Sequence, residues 1–298
     1  MNTTQTILVT GATGTVGSTL IPLLTTRGAI VRALVRDPHR LRLSSDLGTH
    51  IAVGDFADPA SVRVAVEGVD AVFLACGNVP DQVAYECTLI DAAAAAGVRR
   101  IVKLSARGAE VGAPVAYWHW HGQIEQHLRA SGVPAVLLQP GFAMTNLLGA
   151  AEHVRSQGML FAPAAGARIA MIHPADVAAA AAVALTTDGH DGSTYVLTGP
   201  EAISYTQVAG HLSAAIGRPV GFVDIPPEAA VPALIDAGLP PFAAEQVVTV
   251  FAELRRGVQA TTTGTVNALI GRSARSFATF ARQYADAFRS EEPTELSA

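Results

Sequence analysis

Short apolar runs recur along the first half of the chain. Each closes in a polar or glycine-bearing turn and is followed by a stretch with helical spacing. Residues 6–10 (TILVT), 30–35 (IVRALV), 50–55 (HIAVGD), 70–75 (DAVFLA), 100–105 (RIVKLS) and 134–140 (PAVLLQP) read as six strands. They are almost continuously apolar, as strands are when helices cover both faces of a sheet. Segments between them, such as 59–67, 83–97 and 115–131, have the length and patterning of helices. This alternation predicts a parallel sheet wrapped on both sides. After Pro140 the rhythm loosens. A helix over 144–157, a loop over 158–166, a helix over 174–185 and a strand over 194–199 follow. A helix over 204–216 capped by Ser204, a strand over 220–226 and a mainly helical remainder complete the chain.

The first strand runs into Gly11-Ala-Thr-Gly14-Thr-Val-Gly17, which opens the first helix. Gly11 permits a tight turn, Gly14 lets backbone approach a pyrophosphate, and Gly17 lets helix pack on strand. The helix N-terminus adds unpaired N–H groups and a positive dipole end. In this strand–turn–helix setting the spacing predicts a dinucleotide site, formed by Gly11, Thr13, Gly14, Thr15, Val16 and Gly17. The expected architecture is therefore α/β: a Rossmann-type doubly wound parallel sheet with a small C-terminal α/β substrate lobe. Residues 1–140 would hold the cofactor domain, and 141–298 the remaining sheet elements and the lobe.

The second strand selects between cofactors. A site for NAD places an acidic residue at its end, whereas this strand ends in Val35-Arg36-Asp37. Arg36 can pair with a 2′-phosphate or stack on adenine, with Arg32 and Arg40 nearby. Asp37 keeps NAD open, and NADP(H) is expected over NAD(H). Asp55 and Phe56 after the third strand, and Ala75 after the fourth, are further cofactor candidates; a turn-capping Asp55 is an equal reading.

Composition narrows the class. Half of the 298 residues are apolar and 15% are charged, so the chain buries a core. A net charge of −5 opposes nucleic-acid binding. No run of about 18 apolar residues exists, so no membrane span is expected. The chain lacks a basic N-terminal stretch and enters the glycine turn by residue 11, so no signal peptide is expected and a cytoplasmic location is. Cys76 and Cys87 read as ordinary thiols. Neither a metal-ligand spacing nor a GxSxG nucleophile elbow occurs. Among 20 basic residues only one, Lys103, is a lysine. A mechanism that needs a lysine must use it or do without.

TGATGTVG, VRALVRDP, GDF (54–56), HxxxExxLxxSG (121–132) and PGFxMxN (140–146) resemble the atypical short-chain dehydrogenase/reductase superfamily, in its NmrA-like branch. The likeness runs from residue 6 to about 200. It implies NADP(H) held through Gly11, Gly14, Gly17 and Arg36, with Pro140, Gly141 and Phe142 beside the nicotinamide. The wider superfamily uses a serine with a tyrosine and a lysine four apart, on one helix face. The tyrosine protonates the substrate oxygen, and the lysine holds the ribose and lowers the tyrosine pKa. Carried over, Ser105 takes the serine place, Tyr117 the tyrosine place and His121 the lysine place. Lys103, on the strand two residues before Ser105, points by alternation to the same face as Ser105 but lies far in sequence from the helix pair and reads as unable to substitute.

Ser105, Tyr117 and His121 are thus the candidate catalytic residues. Trp118, Met144 and Asn146 are candidate contacts for an aromatic or quinone-like small molecule, and an oligomer is compatible with all of this. On the same register His121→Lys is expected to keep cofactor binding and raise ketone reduction. Members of the branch include quinone and azo reductases, natural-product reductases and cofactor-sensing regulators. The expected function is NADPH-dependent reduction of a carbonyl, quinone or conjugated acceptor. Its rivals are a redox sensor without turnover and a non-redox biosynthetic enzyme.

Overall fold

The computed structural model of the chain describes residues 4–41 and 48–289. In chain order its strands are β1 (Thr6–Val9), β2 (Ile30–Val35), β3 (His50–Val53), β4 (Ala71–Leu74), β5 (Arg100–Leu104), β6 (Ala135–Pro140), β7 (Met159–Ala162), β8 (Thr194–Leu197) and β9 (Gly221–Asp224). The helices are α1 (Thr15–Thr26), α2 (Pro59–Val66), α3 (Gln82–Ala95), α4 (Ala116–Ala130), α5 (Ala151–Gln157), α6 (Pro174–Thr186), α7 (Tyr205–Ile216), α8 (Pro227–Asp236), α9 (Pro241–Arg255), α10 (Thr265–Ile270), α11 (Phe277–Gln283) and α12 (Ala285–Phe288).

Two compact units result. The first comprises Met1–Gly141, Pro174–Leu197 and Gly264–Ser273. Its seven strands pair in parallel in the order β3-β2-β1-β4-β5-β6-β8. The order reverses between β1 and β4, and in open α/β sheets such a switch point is where ligands bind, at the strands' carboxyl ends. Helices α1 and α6 pack on one face; α2, α3 and α4 pack side by side on the other. The close approach of α1 and α6 follows from small side chains: Ala178, Ala180, Ala181 and Ala182 on α6 are all fully buried. On the opposite face Leu74, Leu89, Ile90, Ile101, Ile124 and Leu128 join in one apolar cluster. Burial of this kind, about 25 cal/mol per Å² of apolar surface, is the main stabilising term.

The second unit comprises Phe142–His173, Thr198–Thr263 and Ala274–Ala298. It has its own apolar core, with Leu160, Val208, Leu254, Phe277 and Phe280 fully or almost fully buried. Helix α7 starts at a reciprocal capping box between Ser204 and Gln207. Strand β9 pairs in parallel with β7, so the loop expected over 158–166 stays a turn except that residues 159–162, MLFA, form a four-residue strand. Its partner lies some sixty residues away, and pairing rather than pattern makes it a strand.

The chain returns twice to the first unit, once so that β8 completes the sheet beside β6 and once to lay α10 against α6 and β8. No helix among the described residues is long and apolar enough to cross a membrane. None of their His, Cys, Asp and Glu side chains forms a group that could hold a metal ion.

Candidate active site

At the turn after β1 the backbone approaches itself closely. Gly11 has φ of +59°, and a Cβ on it would lie 3.1 Å from the Ala75 carbonyl oxygen. The Gly14 N–H donates to the Gly11 carbonyl at 2.9 Å, closing the turn. A Cβ on Gly17 would fall 2.2 Å from the same oxygen, so α1 sits directly on the loop. Beneath, the buried Thr10 hydroxyl donates to the Ala75 carbonyl at 2.9 Å and accepts from the Ala75 N–H at 2.8 Å. That clamp fixes the end of β1 to the end of β4.

Gly14 is the N-cap of α1 and offers no side chain to its first turn, which carries no acidic residue either. The N–H groups of Thr15, Val16 and Gly17 therefore lack an intrahelical acceptor and present the positive end of the helix dipole. Thr13, Gly14 and Thr15 are exposed above them. A turn with no room for side chains and with free amide donors fits a pyrophosphate, so the residues present suit a dinucleotide.

At the tip of β2, Arg36 is exposed, as is Arg40. Arg32 is committed elsewhere: its guanidinium donates to the carbonyls of Ala65 (2.9 Å) and Glu67 (2.7 Å) at the end of α2. Asp37 accepts from the His39 N–H and so caps a short 3-10 turn. Asp55 likewise accepts from the Ala57 N–H at 3.0 Å, the turn-capping role open to it from sequence. Phe56 stacks on Tyr85 of α3, ring centroids 6.2 Å apart.

The carboxyl end of β5 carries two polar clusters. In the first, the buried Ser105 hydroxyl donates to Glu125 Oε1 at 2.5 Å. The same oxygen accepts from Gln139 Nε2 at 2.8 Å, and Arg129 holds the other carboxylate oxygen at 3.0 Å. In the second, Lys103 has no solvent exposure at all. Its ammonium lies 2.7 Å from Glu86 Oε2 on α3, also fully buried. That contact is an ion pair lying off a hydrogen-bond line. Lys103 Nζ also donates to the Leu104 carbonyl and stands 3.2 Å from His121 Nδ1 on α4. Gln82 Nε2 donates to Glu86 Oε1 at 2.9 Å.

Lys103, read from the sequence as outside the helix register, nevertheless reaches His121. Far apart in sequence, the two side chains touch, because Lys103 and Ser105 point to the sheet face that α3 and α4 cover. Burial, with the Lys103 charge, pushes the His121 pKa well below its ordinary range, so the imidazole is neutral at physiological pH. Burial pushes Glu86 upward, opposed by Lys103. The same geometry argues against the expectation for His121→Lys, since that variant would set a second buried ammonium beside the first.

Tyr117 lies one helical turn before His121 and makes an edge contact with Trp120, centroids 5.4 Å apart. Partial burial raises its phenol pKa. Trp118 is buried against Gly108, where a Cβ would come within 3.0 Å of the indole. Gly122 seats α4 on the loop after β5, since a Cβ there would lie 2.4 Å from the Glu110 backbone. Pro140 ends β6, its carbonyl accepting from the Arg107 N–H, while the Gly141 N–H donates to Leu197. Asp176 of α6 is buried and paired with Arg272 at 2.7 Å. Burial pushes the Cys76 thiol up to about 11, which leaves it protonated and unreactive at neutral pH.

In the second unit, the Phe142 N–H donates to Gln259 Oε1 at 2.7 Å, and its ring lies 6.2 Å from that of Phe251. Met144 is a core residue at 1% exposure, and Asn146 is exposed. Sequence reasoning passed over Glu86, Gln82 and the reach of Lys103. A signal was present: Gln82 and Glu86 lie in one buried helical stripe with Leu89, Ile90 and Ala93, and a polar pair on such a stripe calls for buried partners.

Comparison with known proteins extends these observations. The model of the NmrA-like family matches residues 3–279. The NAD(P)H azoreductase of Xenophilus azovorans is 39% identical over 282 residues, covering 95% of this chain and 99% of that protein. A (4-alkanoyl-5-oxo-2,5-dihydrofuran-3-yl)methyl phosphate reductase of Streptomyces griseus is 40% identical over 286 residues, covering 96% and 100%. Among solved structures, the NADPH-dependent quinone oxidoreductase of Escherichia coli in complex with NADPH matches with a TM-score of 0.85. The two are 28% identical, with 93% of this chain and 99% of that one covered.

Proposed function

The chain belongs to the NmrA-like family, and from that premise we propose that it is an NADPH-dependent reductase of flat, conjugated acceptors such as quinones and azo compounds. One observation carries the reading. The open N-terminus of α1 stands over a turn where a Cβ on Gly17 would fall 2.2 Å from backbone, a cradle for pyrophosphate beside an exposed Arg36. The similarity to reductases over nearly the whole chain sets the reaction class.

In this reading Gly11, Gly14 and Gly17 let the cofactor's pyrophosphate reach the amides of Thr15, Val16 and Gly17. Arg36 pairs with the 2′-phosphate, which gives preference for NADP(H) over NAD(H). Ala75, Pro140 and Gly141, at strand ends, line the way to the reacting centre. When bound, NADPH supplies two electrons and a hydrogen to the acceptor. Tyr117, held protonated by its raised pKa, donates the proton that completes reduction. His121 donates a hydrogen bond without carrying charge. The Ser105 hydroxyl gives its only proton to Glu125, so toward a ligand it acts as an acceptor. The proposed setting is the cytoplasm, consistent with two free thiols.

The test is oxidation of NADPH, followed by its near-ultraviolet absorbance, with benzoquinone, a naphthoquinone, an azo dye and a simple ketone. Turnover is expected with the first three and little with the ketone. Tight NADPH binding with no turnover would make the protein a cofactor sensor. A product of unchanged oxidation state would make it a non-redox enzyme.

A further inference from the structure

Lysine is among the residues least often buried, yet the only lysine of this chain is wholly enclosed. An ammonium has three N–H donors and no lone pair. Those of Lys103 meet the Leu104 carbonyl and His121 Nδ1 at 3.2 Å, while its charge lies 2.7 Å from Glu86 Oε2. Since the ammonium cannot accept, Nδ1 must. In a neutral imidazole one nitrogen accepts and the other bears the proton, so the proton of His121 sits on Nε2. The imidazolium alternative would place two buried positive charges in contact, and nothing on α3, α4 or β5 offsets the second. Glu86 is already engaged by Lys103 and Gln82, and Glu125 by Ser105, Gln139 and Arg129. Among the described residues Nε2 has no hydrogen-bond partner, and His121 as a whole is 8% exposed.

We propose that Lys103 is a positioning residue: from strand β5 it locks His121 as a neutral Nε2–H donor, available to a hydroxyl or carbonyl oxygen of the bound cofactor. The lysine acts through the histidine and touches no ligand itself. Glu86, held by Gln82, keeps the Lys103 head group in place. The helix position that carries a lysine in the wider superfamily is thereby served by two residues, one on the strand and one on the helix. This inference rests on the cofactor-binding reading of the site, but its first readout does not.

The full chain, labelled with ¹⁵N-histidine, reports the tautomer directly through long-range proton–nitrogen correlations. His121 is expected as the Nε2–H form from pH 6 to 8, without titrating. An Nδ1–H form or an imidazolium at pH 7 would overturn the proposal. The second readout is the double variant Lys103→Met/Glu86→Gln, which leaves no unpaired buried charge. In it His121 is expected to populate both tautomers, and the NADPH dissociation constant to rise about tenfold. A folded double variant with the Nε2–H form intact, or with NADPH affinity unchanged, would overturn it. If the double variant does not fold, the tautomer in the parent protein decides. If the parent shows the locked Nε2–H form but fails to bind NADPH, the cofactor reading falls while the lock itself stands.

Discussion

Replacing Gly17 by alanine tests the cradle at its tightest point. The added methyl would sit 2.2 Å from the Gly11 oxygen, 2.8 Å from the Gly11 carbonyl carbon and 3.0 Å from Ala12 Cα. Every partner is backbone, so no rotamer change relieves the clash, and α1 must lift by about 1 Å. Overpacking of this kind costs roughly 1–3 kcal/mol, and the rigid partners put it at the upper end. The better helix propensity of alanine offsets about 1 kcal/mol. A net loss of about 2 kcal/mol lowers Tm by roughly 4–8 °C in a unit of this size. Lifting α1 also moves its first-turn amides off the phosphate. Charge-assisted hydrogen bonds are each worth about 1.5–3 kcal/mol, so losing one or two weakens NADPH binding at least tenfold.

Gly14→Ala is the companion experiment. Its φ of −81° suits any residue, and its Cβ would be 3.1 Å from the Gly11 oxygen, a contact that a few tenths of an ångström relieve. Tm should change little, while NADPH affinity drops because the methyl stands where the pyrophosphate approaches. Calorimetric melting and fluorescence titration with NADPH measure both variants. An unchanged Tm for Gly17→Ala would refute the packing argument. Unchanged NADPH affinity in Gly14→Ala would mean that the anion does not lie on this turn.

Four further outcomes follow from the same geometry. Arg36→Ala should weaken NADPH binding by about two- to fivefold, the discounted value for an exposed ion pair, and leave NADH binding unchanged; equal losses for both would remove the 2′-phosphate assignment. Tyr117→Phe should lower ketone reduction by about 10²-fold, the low end for a general acid, but quinone reduction by only a few-fold, because solvent can protonate the product; equal losses in steady-state assays would place the proton source elsewhere. The unfolded chain protonates His121 near pH 6.5 and the fold only well below it, so between those values the unfolded state holds the extra proton and stability falls as pH falls. His121→Gln should remove up to about 1.4 kcal/mol per pH unit of that slope between pH 6.5 and 5 in urea melts; Glu86 acts in the opposite sense, so the variant-minus-parent difference is the readout. Finally, His121→Lys should lose several kcal/mol and most NADPH affinity, whereas adding Lys103→Met should restore both; a stable single variant would show that the two side chains do not meet.

What was legible in the sequence divides by range. Five of the six early strands were readable because a strand covered on both faces is nearly all apolar, a pattern β1, β2, β4, β5 and β6 keep apart from Arg32, Arg100, Lys103 and Gln139, whereas the edge strand β3 is largely exposed. The glycine turn was readable because its constraints act on backbone within seven residues. Strand β7 was not, since MLFA becomes a strand only by pairing with Gly221–Asp224. The His121 environment was not readable either: Glu86, Lys103 and His121 come from α3, β5 and α4, and no local spacing links them. Strand alternation sets Lys103 on the same face as Ser105, but it does not show that the ammonium reaches His121 there. Its partner had to come from the helix stripe of Gln82 and Glu86.

The two polar clusters together constrain the chemistry. Ser105 is acceptor-only toward a ligand because its proton belongs to Glu125. Lys103 is sealed behind Glu86 and His121. In the proposed reading the side chains that donate to the reacting centre are Tyr117 and His121 through Nε2–H, both neutral. An ammonium lowers the energy of a developing alkoxide by direct Coulomb attraction, which is strong where water is excluded. Neutral donors supply a hydrogen bond and little more, so the acceptor itself must stabilise the charge it gains. Quinones and azo compounds do this by delocalisation, and an isolated ketone does not. In the proposed reading, histidine in place of lysine acts as a filter on substrates, and the ratio of quinone to ketone turnover measures it: a ratio near one would contradict this account of the site.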